Sequence, residues 1–252
     1  MKIQYCSDLH LEFPQNSKFM EEHPLIPAGE VLILAGDILP FELHKSQKAF
    51  IDFVADNFEM VCWIPGNHEY YGYDVAKIPN PLNEKLRSNV WLLNNQVVTF
   101  NSVRFICSTL WSKINVVNAL DIQRNISDFF SISWQGKKFT TGHFNQLHSQ
   151  SVGFLEKALK EIDVKKSIVI THHVPTLFNY PSKYRNSPLN DAFATELYDL
   201  IHDSGARYWI YGHHHCNVPE FKVGQTTLLT NQMGYVQLKE EVGFKENAVI
   251  DV

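Results

Sequence analysis

Five short apolar runs recur along the chain, and each closes on a cluster of polar side chains. Ile3 to Cys6 leads into Asp8-Leu9-His10, Val31 to Ala35 into Gly36-Asp37, and Met60 to Ile64 into Gly66-Asn67-His68-Glu69. Ile168 to Thr171 leads into His172-His173, and Tyr208 to Tyr211 into Gly212-His213-His214-His215. Runs of this length, rich in Val, Ile and aromatics, predict buried strands. In α/β sheets, ligands gather at the carboxyl ends of strands, so clusters far apart in sequence are expected to meet at one sheet edge.

Between these runs the pattern changes period. Ala49, Phe50, Phe53 and Val54 recur at helical spacing and predict a helix over residues 43 to 58, with Lys45, Lys48 and Asp52 among its polar positions. A short helix is expected at Leu82 to Arg87, a long one from His143 to Ile162, and another from Asp191 to Ser204. Val90 to Leu93, Val97 to Phe100 and Val103 to Cys107 read as strands, with Asn94-Asn95 and Asn101-Ser102 as turns. Residues 109 to 140 are the least regular part, with Trp111, Phe129, Phe130 and Trp134 read as core. Long crossovers in the first half predict parallel pairing there, and periodicity supports an α/β fold with mixed sheets. No repeat or linker breaks the chain, so residues 1–252 are expected to form a single domain.

Composition narrows the classes. The formal net charge is −5 with no basic run, which argues against tight nucleic-acid binding. Bound cations would still allow a nucleotide substrate by making the site locally positive. The N-terminus lacks signal-peptide character and no apolar stretch is long enough to span a bilayer, so a cytoplasmic protein with no membrane partner is expected. The four widely spaced cysteines read as reduced thiols.

The polar clusters carry the candidate chemistry. Carboxylate, imidazole and amide oxygen suit Mn, Fe and Zn ions. Residues two apart in an extended segment face the same side, so Asp8 and His10 are expected to reach one ion together, with Leu9 turned away. The same alternation pairs His213 with His215 and sends His214 to the opposite face. His173 is expected to pack or to touch substrate.

The ordered set D-x-H, GD, GNHE, H and GHxH resembles the calcineurin-like metallophosphoesterases, and Asn231-Gln232-Met233-Gly234-Tyr235 with the closing strand Ala248 to Val252 resembles the tail of small bacterial members. The resemblance implies a four-layer α/β/β/α sandwich of two mixed sheets. It implies two divalent metal ions, with Asp8, His10 and His215 on one, Asn67, His172 and His213 on the other, and Asp37 bridging. The donor set admits Mn, Fe, Zn, Co or Ni, with Mn taken as the activating ion. The implied activity is hydrolysis of a small phosphomonoester or phosphodiester by in-line attack of a metal-bridging hydroxide. Asp37, Asn67 and His68 are then the catalytic residues, and His68 serves the leaving oxygen. A nuclease of the same family, or a catalytically weak metal-binding scaffold, are the alternatives. Protein-phosphatase members follow GD with an acid and an arginine; here Ile38-Leu39-Pro40-Phe41-Glu42 follows, which leaves Glu69 and Asp128 as candidate partners of His68. Oligomeric state is left open.

Overall fold

The computed structural model describes residues 1–44, 47–160 and 166–252. Two six-stranded mixed sheets form its centre. The first contains β1 (Lys2–Cys6), β2 (Val31–Ala35), β3 (Met60–Ile64), β4 (Leu82–Arg87), β5 (Val90–Asn94) and β14 (Val249–Asp251), in the order β14-β1-β2-β3-β5-β4. The second contains β6 (Gln96–Phe100), β7 (Val103–Ser108), β10 (Ser167–Thr171), β11 (Tyr208–Ile210), β12 (Phe221–Val223) and β13 (Thr226–Leu229), in the order β12-β13-β11-β10-β7-β6. The inner strands of each sheet pair in parallel, and the outermost pairs are antiparallel.

The alternation of each strand explains the layering. Ile33, Cys62 and Ile64 face Phe105, Cys107 and Ile170 of the other sheet, in a cluster drawn from both. The intervening Leu32, Leu34 and Trp63 face Ile51 and Val54 of α2 (Lys48–Asn57). On the far side, Val169, Trp209 and Leu228 face Leu155 and Ala158 of α5 (Thr141–Ala158) and Ile201 of α6 (Tyr198–Ser204). The central strands are therefore apolar on both faces, which is why their sequences run unbroken. The result is a four-layer α/β/β/α sandwich with mixed sheets. Fully burying each Leu, Ile or Val contributes about 1.5–3 kcal/mol, so the two-sided strands are the most strongly held part of the scaffold. Completing the set are α1 (Pro14–Glu22), α3 (Ala119–Asn125), α4 (Asp128–Ser131) and the short hairpin of β8 (Ser133–Trp134) and β9 (Lys137–Lys138).

The predicted helices shift in three places. Leu82–Arg87 is an edge strand, antiparallel to β5, and not a helix. Leu82 and Leu86 are four apart, a spacing that lines up on one face of either element, so pairing with β5 decides. The segment expected to be helical from Asp191 is helical only over Tyr198–Ser204, after a 3-10 turn at Asn190–Ala192. In between, Val174 N donates to Phe193 O and Thr195 N donates to Val174 O, which draws the backbone out of a helix. The helix expected over 43 to 58 begins at Lys48, after a 3-10 turn at Phe41–Leu43; Lys45 and the far end of the long helix at Ile162 lie outside the described residues. That long helix starts where Thr140 and His143 cap each other's backbone N–H groups. Among the described residues no helix is long and apolar enough to cross a membrane.

Candidate metal centre

The strands β1, β2, β3, β10 and β11 end at one side of the sandwich, and the polar clusters follow there. The loops after β1 and β2 run together: Asp8 N donates to Gly36 O, and His10 N and Leu11 N donate to Asp37 O and Ile38 O. Within the second sheet Gly212 N donates to His172 O, and across the two sheets Ser7 pairs with Gln232.

The clusters are not extended. Asp8, His10, Asp37, His213 and His215 all have left-handed backbones, with φ of +57°, +47°, +55°, +81° and +47°. This differs from the alternation expected from sequence, and the reason is geometric. A continued strand would set residues two apart about 6.6 Å from each other, whereas a left-handed turn curls their side chains inward. Glycine supplies the room. A Cβ on Gly66 would collide with the Asp37 carboxylate and stand 2.7 Å from the His172 ring, so Asp37 and His172 close over that backbone.

Among the described residues, beside a group of His10, Glu12 and His68, two groups of donor atoms centre on Asp37, each with its members within 4.8 Å of one another: Asp8, His10, Asp37 and His215, and Asp37, His172 and His213. Asp37 belongs to both. Its Oδ2 is 3.7 Å from His10 Nε2 and its Oδ1 is 3.3 Å from His172 Nε2. Asn67 joins the second group, because its Nδ2 donates to Asp128 at 2.8 Å and its Oδ1 lies 3.1 Å from His172 Nε2.

This arrangement fits divalent cations. Each imidazole has its outer nitrogen held and its inner nitrogen aimed inward. His172 Nδ1 is 2.9 Å from Ala35 O, His10 Nδ1 is 3.1 Å from Glu12 Oε1, His215 Nδ1 is 2.7 Å from Glu240 Oε2, and His213 Nε2 is 3.3 Å from Ala192 O. The inner nitrogens then approach in pairs, His10 Nε2 to His215 Nε2 at 3.0 Å and His172 Nε2 to His213 Nδ1 at 3.1 Å. Outer carbonyls and carboxylates of this kind fix the tautomer of metal-ligating histidines.

Charge follows the same plan. Burial opposes ionisation of Asp37, yet the His172, His68 and His10 rings around it hold its carboxyl well below the usual range. Burial pushes His213 well down, helped by His173 and His172. His172 is raised to about 9, because Asp37 and Asp8 outweigh its burial, and His215 to about 10, because Asp8 and Glu240 do. A cation held by these two rings would have to displace their protons.

His68 sits beside the centre. Its Nδ1 is 2.8 Å from Glu12 Oε1, its Nε2 is 3.2 Å from the Tyr235 hydroxyl, and its ring stacks on Tyr71. Glu12 is the partner that sequence reading missed. The signal was present, since Asp8, His10 and Glu12 follow every second position. Neither earlier candidate touches the ring's nitrogens. Glu69 instead accepts from the backbone N–H groups of Asp37, Ile38 and Gly66 and from Trp63 Nε1, tying two loops together, and burial raises its carboxyl to about 7. Asp128 holds Asn67 and Tyr71. His214 and His173 belong to neither donor group: His214 Nδ1 meets the Gln232 amide, and His173 Nδ1 meets Thr109 O at 3.2 Å. Glu240, in a turn far from His215 in sequence, had no local signal.

Comparison with known proteins follows the geometry. The chain is 30% identical over 280 aligned residues to the uncharacterized protein L509 of Acanthamoeba polyphaga mimivirus, covering 99% of this chain and 96% of that protein. Its fold is similar to the crystal structure of phosphopantetheinyl hydrolase (PptH) from Mycobacterium tuberculosis, with a TM-score of 0.70 at 17% identity, covering 99% of this chain and 95% of that one. Residues 1–217 match the calcineurin-like phosphoesterase profile, and the chain belongs to that family of metal-binding hydrolases.

Proposed function

We propose that the protein is a two-metal phosphoesterase acting on a small phosphomonoester or phosphodiester. The observation that carries this is the pair of buried donor groups sharing the two oxygens of Asp37. Asp8, His10, Asp37 and His215 would hold one ion, and Asp37, Asn67, His172 and His213 the other. Divalent cations held there would lower the pKa of a bound water and neutralise charge on phosphoryl oxygens.

The chain's own residues do the rest. A cavity of about 360 Å³ opens directly over Asp37, Asn67, His213 and His215, and His68 stands in its wall. Burial disfavours the His68 cation, but Asp37 and Glu12 outweigh it and raise its pKa. Glu12 holds Nδ1 and fixes the ring, which leaves Nε2 as the atom placed to give a proton to the leaving oxygen. Asp128 turns the Asn67 amide so that its oxygen points at the second donor group. The net charge of −5, and a cavity wall in which no Lys or Arg appears among the described residues, weigh against a nuclease.

The reading is tested by loading the protein with Mn²⁺, measuring metal content, and assaying p-nitrophenyl phosphate and bis-p-nitrophenyl phosphate alongside cyclic nucleotides and a phosphopantetheine diester. Two equivalents of metal and turnover of at least one ester are expected. Metal uptake should weaken from about pH 8 to about pH 6, since protons compete with metal for His172 and His215, whose pKa values are raised, and compete more strongly as pH falls. Full loading without turnover of any ester would leave only a scaffold reading.

Glu12 offers a narrower test. Glu12→Gln keeps the shape but loses the charge-assisted grip on both His10 and His68. Loss of such an outer partner costs roughly 10–100-fold in activity or metal affinity. Esters with poor leaving groups should lose more than nitrophenyl esters, and Glu12→Asp should recover part of the loss. A uniform loss across leaving groups would remove Glu12 from the positioning of His68.

A further inference from the structure

Tyr235 stands in the cavity wall beside His68, with its hydroxyl 3.2 Å from His68 Nε2. Its segment is pinned on both sides. Gly234 N donates to Asp8 O at 3.0 Å, Tyr235 N to Glu240 Oε2 at 2.9 Å and Val236 N to Asn16 Oδ1 at 3.3 Å. The buried Asn16 of α1 also donates from Nδ2 to Gly234 O at 2.8 Å. Gly234 lets the segment come close, since a Cβ there would stand 3.0 Å from His215 Cβ. The Tyr235 ring then lies against the His10, His215 and Phe13 rings, with centroids 4.6, 4.5 and 5.4 Å away. A phenolic oxygen lies on the axis of its ring, so a ring packed in this way fixes where the oxygen sits.

The His68 ring is held as firmly. Its Nδ1 faces Glu12 Oε1 at 2.8 Å, one face stacks on Tyr71 at 4.1 Å, and the His10 ring meets it edge-on at 4.4 Å. Among the described residues, the Tyr235 hydroxyl is the one hydrogen-bond partner of Nε2, and Nε2 is the one partner of that hydroxyl. Tyr71, the other tyrosine against His68, has committed its hydroxyl to Asp128 at 2.8 Å. A leaving oxygen that took the proton straight from Nε2 would have to displace the Tyr235 hydroxyl, which is carried by a ring packed on three others. One that took it through the hydroxyl would displace nothing.

We propose, resting on the phosphoesterase reading above, that the Tyr235 hydroxyl is a further catalytic group, through which the Nε2 proton of His68 reaches the leaving oxygen. Tyr235 Oη takes that proton as the Nε2–H bond breaks. The hydroxyl's own proton passes to the leaving oxygen, which also keeps the electron pair of the broken P–O bond. Tyr235 ends as it began, an uncharged phenol, and His68 ends neutral, with its Nδ1–H still facing Glu12. A phenol suits this role because it accepts and donates at once and keeps its proton at neutral pH. Glu12, His68 and Tyr235 then form one line of hydrogen bonds from a carboxylate to the cavity.

Tyr235→Phe keeps the ring and its packing and removes only the hydroxyl. The Mn²⁺-loaded variant is measured beside His68→Ala and the double variant, for metal content and for kcat on phenyl and p-nitrophenyl esters of phosphate, as monoesters and diesters. Tyr235→Phe is expected to hold as much metal as the unaltered protein. It should lose about 10²–10⁴-fold in kcat on phenyl esters, as His68→Ala does, and less on nitrophenyl esters, whose leaving oxygen needs little protonation. The double variant should fall no further than either single one, because members of one path fail together. A hydroxyl that merely steadies the His68 ring would cost well under the loss of the ring itself. Near-full turnover in Tyr235→Phe, a loss well short of that in His68→Ala, equal losses on phenyl and nitrophenyl esters, additive losses in the double variant, or lost metal overturns the proposal while the phosphoesterase reading stands. Absence of ester turnover in the fully loaded, unaltered protein overturns both.

Discussion

Asp37→Asn is expected to weaken both ion sites at once, whereas His10→Ala should empty mainly the group containing Asp8 and His215. Asp37 is the one residue common to the two donor groups, with one oxygen toward His10 and the other toward His172. An amide in its place keeps a single acceptor and removes the charge that offsets repulsion between two neighbouring dications. The fall in turnover should exceed the roughly 10–100-fold associated with losing an outer hydrogen-bond partner. The fold should survive, because Asn tolerates the left-handed backbone at this position and Glu69 grips the Asp37 backbone, not its side chain. Elemental analysis of the variants after gel filtration reads the result directly. Retention of two full equivalents by Asp37→Asn would end the bridging assignment.

His68→Ala is expected to leave metal content unchanged and to lower turnover by about 10²–10⁴-fold, the usual contribution of a general acid. The ring's nitrogens are occupied by Glu12 and Tyr235, and its ring stacks on Tyr71, so removing it takes nothing from either of the two groups that share Asp37. The donor group of His10, Glu12 and His68 reads as one carboxylate gripping two rings, since His10 Nδ1 faces Glu12 while its Nε2 faces His215. Esters of nitrophenol, whose leaving oxygen needs little protonation, should suffer least. Equal losses for good and poor leaving groups, with metal intact, would show that His68 acts otherwise.

The parts of the fold legible in the sequence are those fixed by local period. Val31–Ala35, Met60–Ile64 and Ser167–Thr171 are buried on both faces, so each reads as an unbroken apolar run and each forms a central strand. The polar residues that follow them are legible for the same reason, as abrupt ends to apolar runs. Partnerships across the fold were not legible. Glu240 reaches His215 and Asp128 reaches Asn67 through tertiary packing that leaves no trace in spacing. Leu82–Arg87 was ambiguous because a four-residue interval serves helix and strand alike. The irregular stretch from 109 to 140 resolves into an aromatic core, with Trp111, Phe129 and Phe139 packed beside Tyr70 and Phe144 and Trp134 against them, but Phe130, read as core, is exposed. That core reaches the site through His173, whose ring lies 5.3 Å from Trp111 and 4.2 Å from His213.

The left-handed backbones of Asp8, His10, Asp37, His213 and His215 bear on how this protein would respond to laboratory evolution. Non-glycine residues held in that region cost of order 1–3 kcal/mol each, and a whole domain has only about 5–15 kcal/mol in hand. Replacements by Asn or Gly at these five positions relax the chain, and ions bound by the native side chains oppose them through ligand linkage. A library selected for heat tolerance in the presence of a chelator should therefore drift toward Asn and Gly at these positions and discard its chemistry. The same library selected with Mn²⁺ present should keep the native residues and find its gains elsewhere.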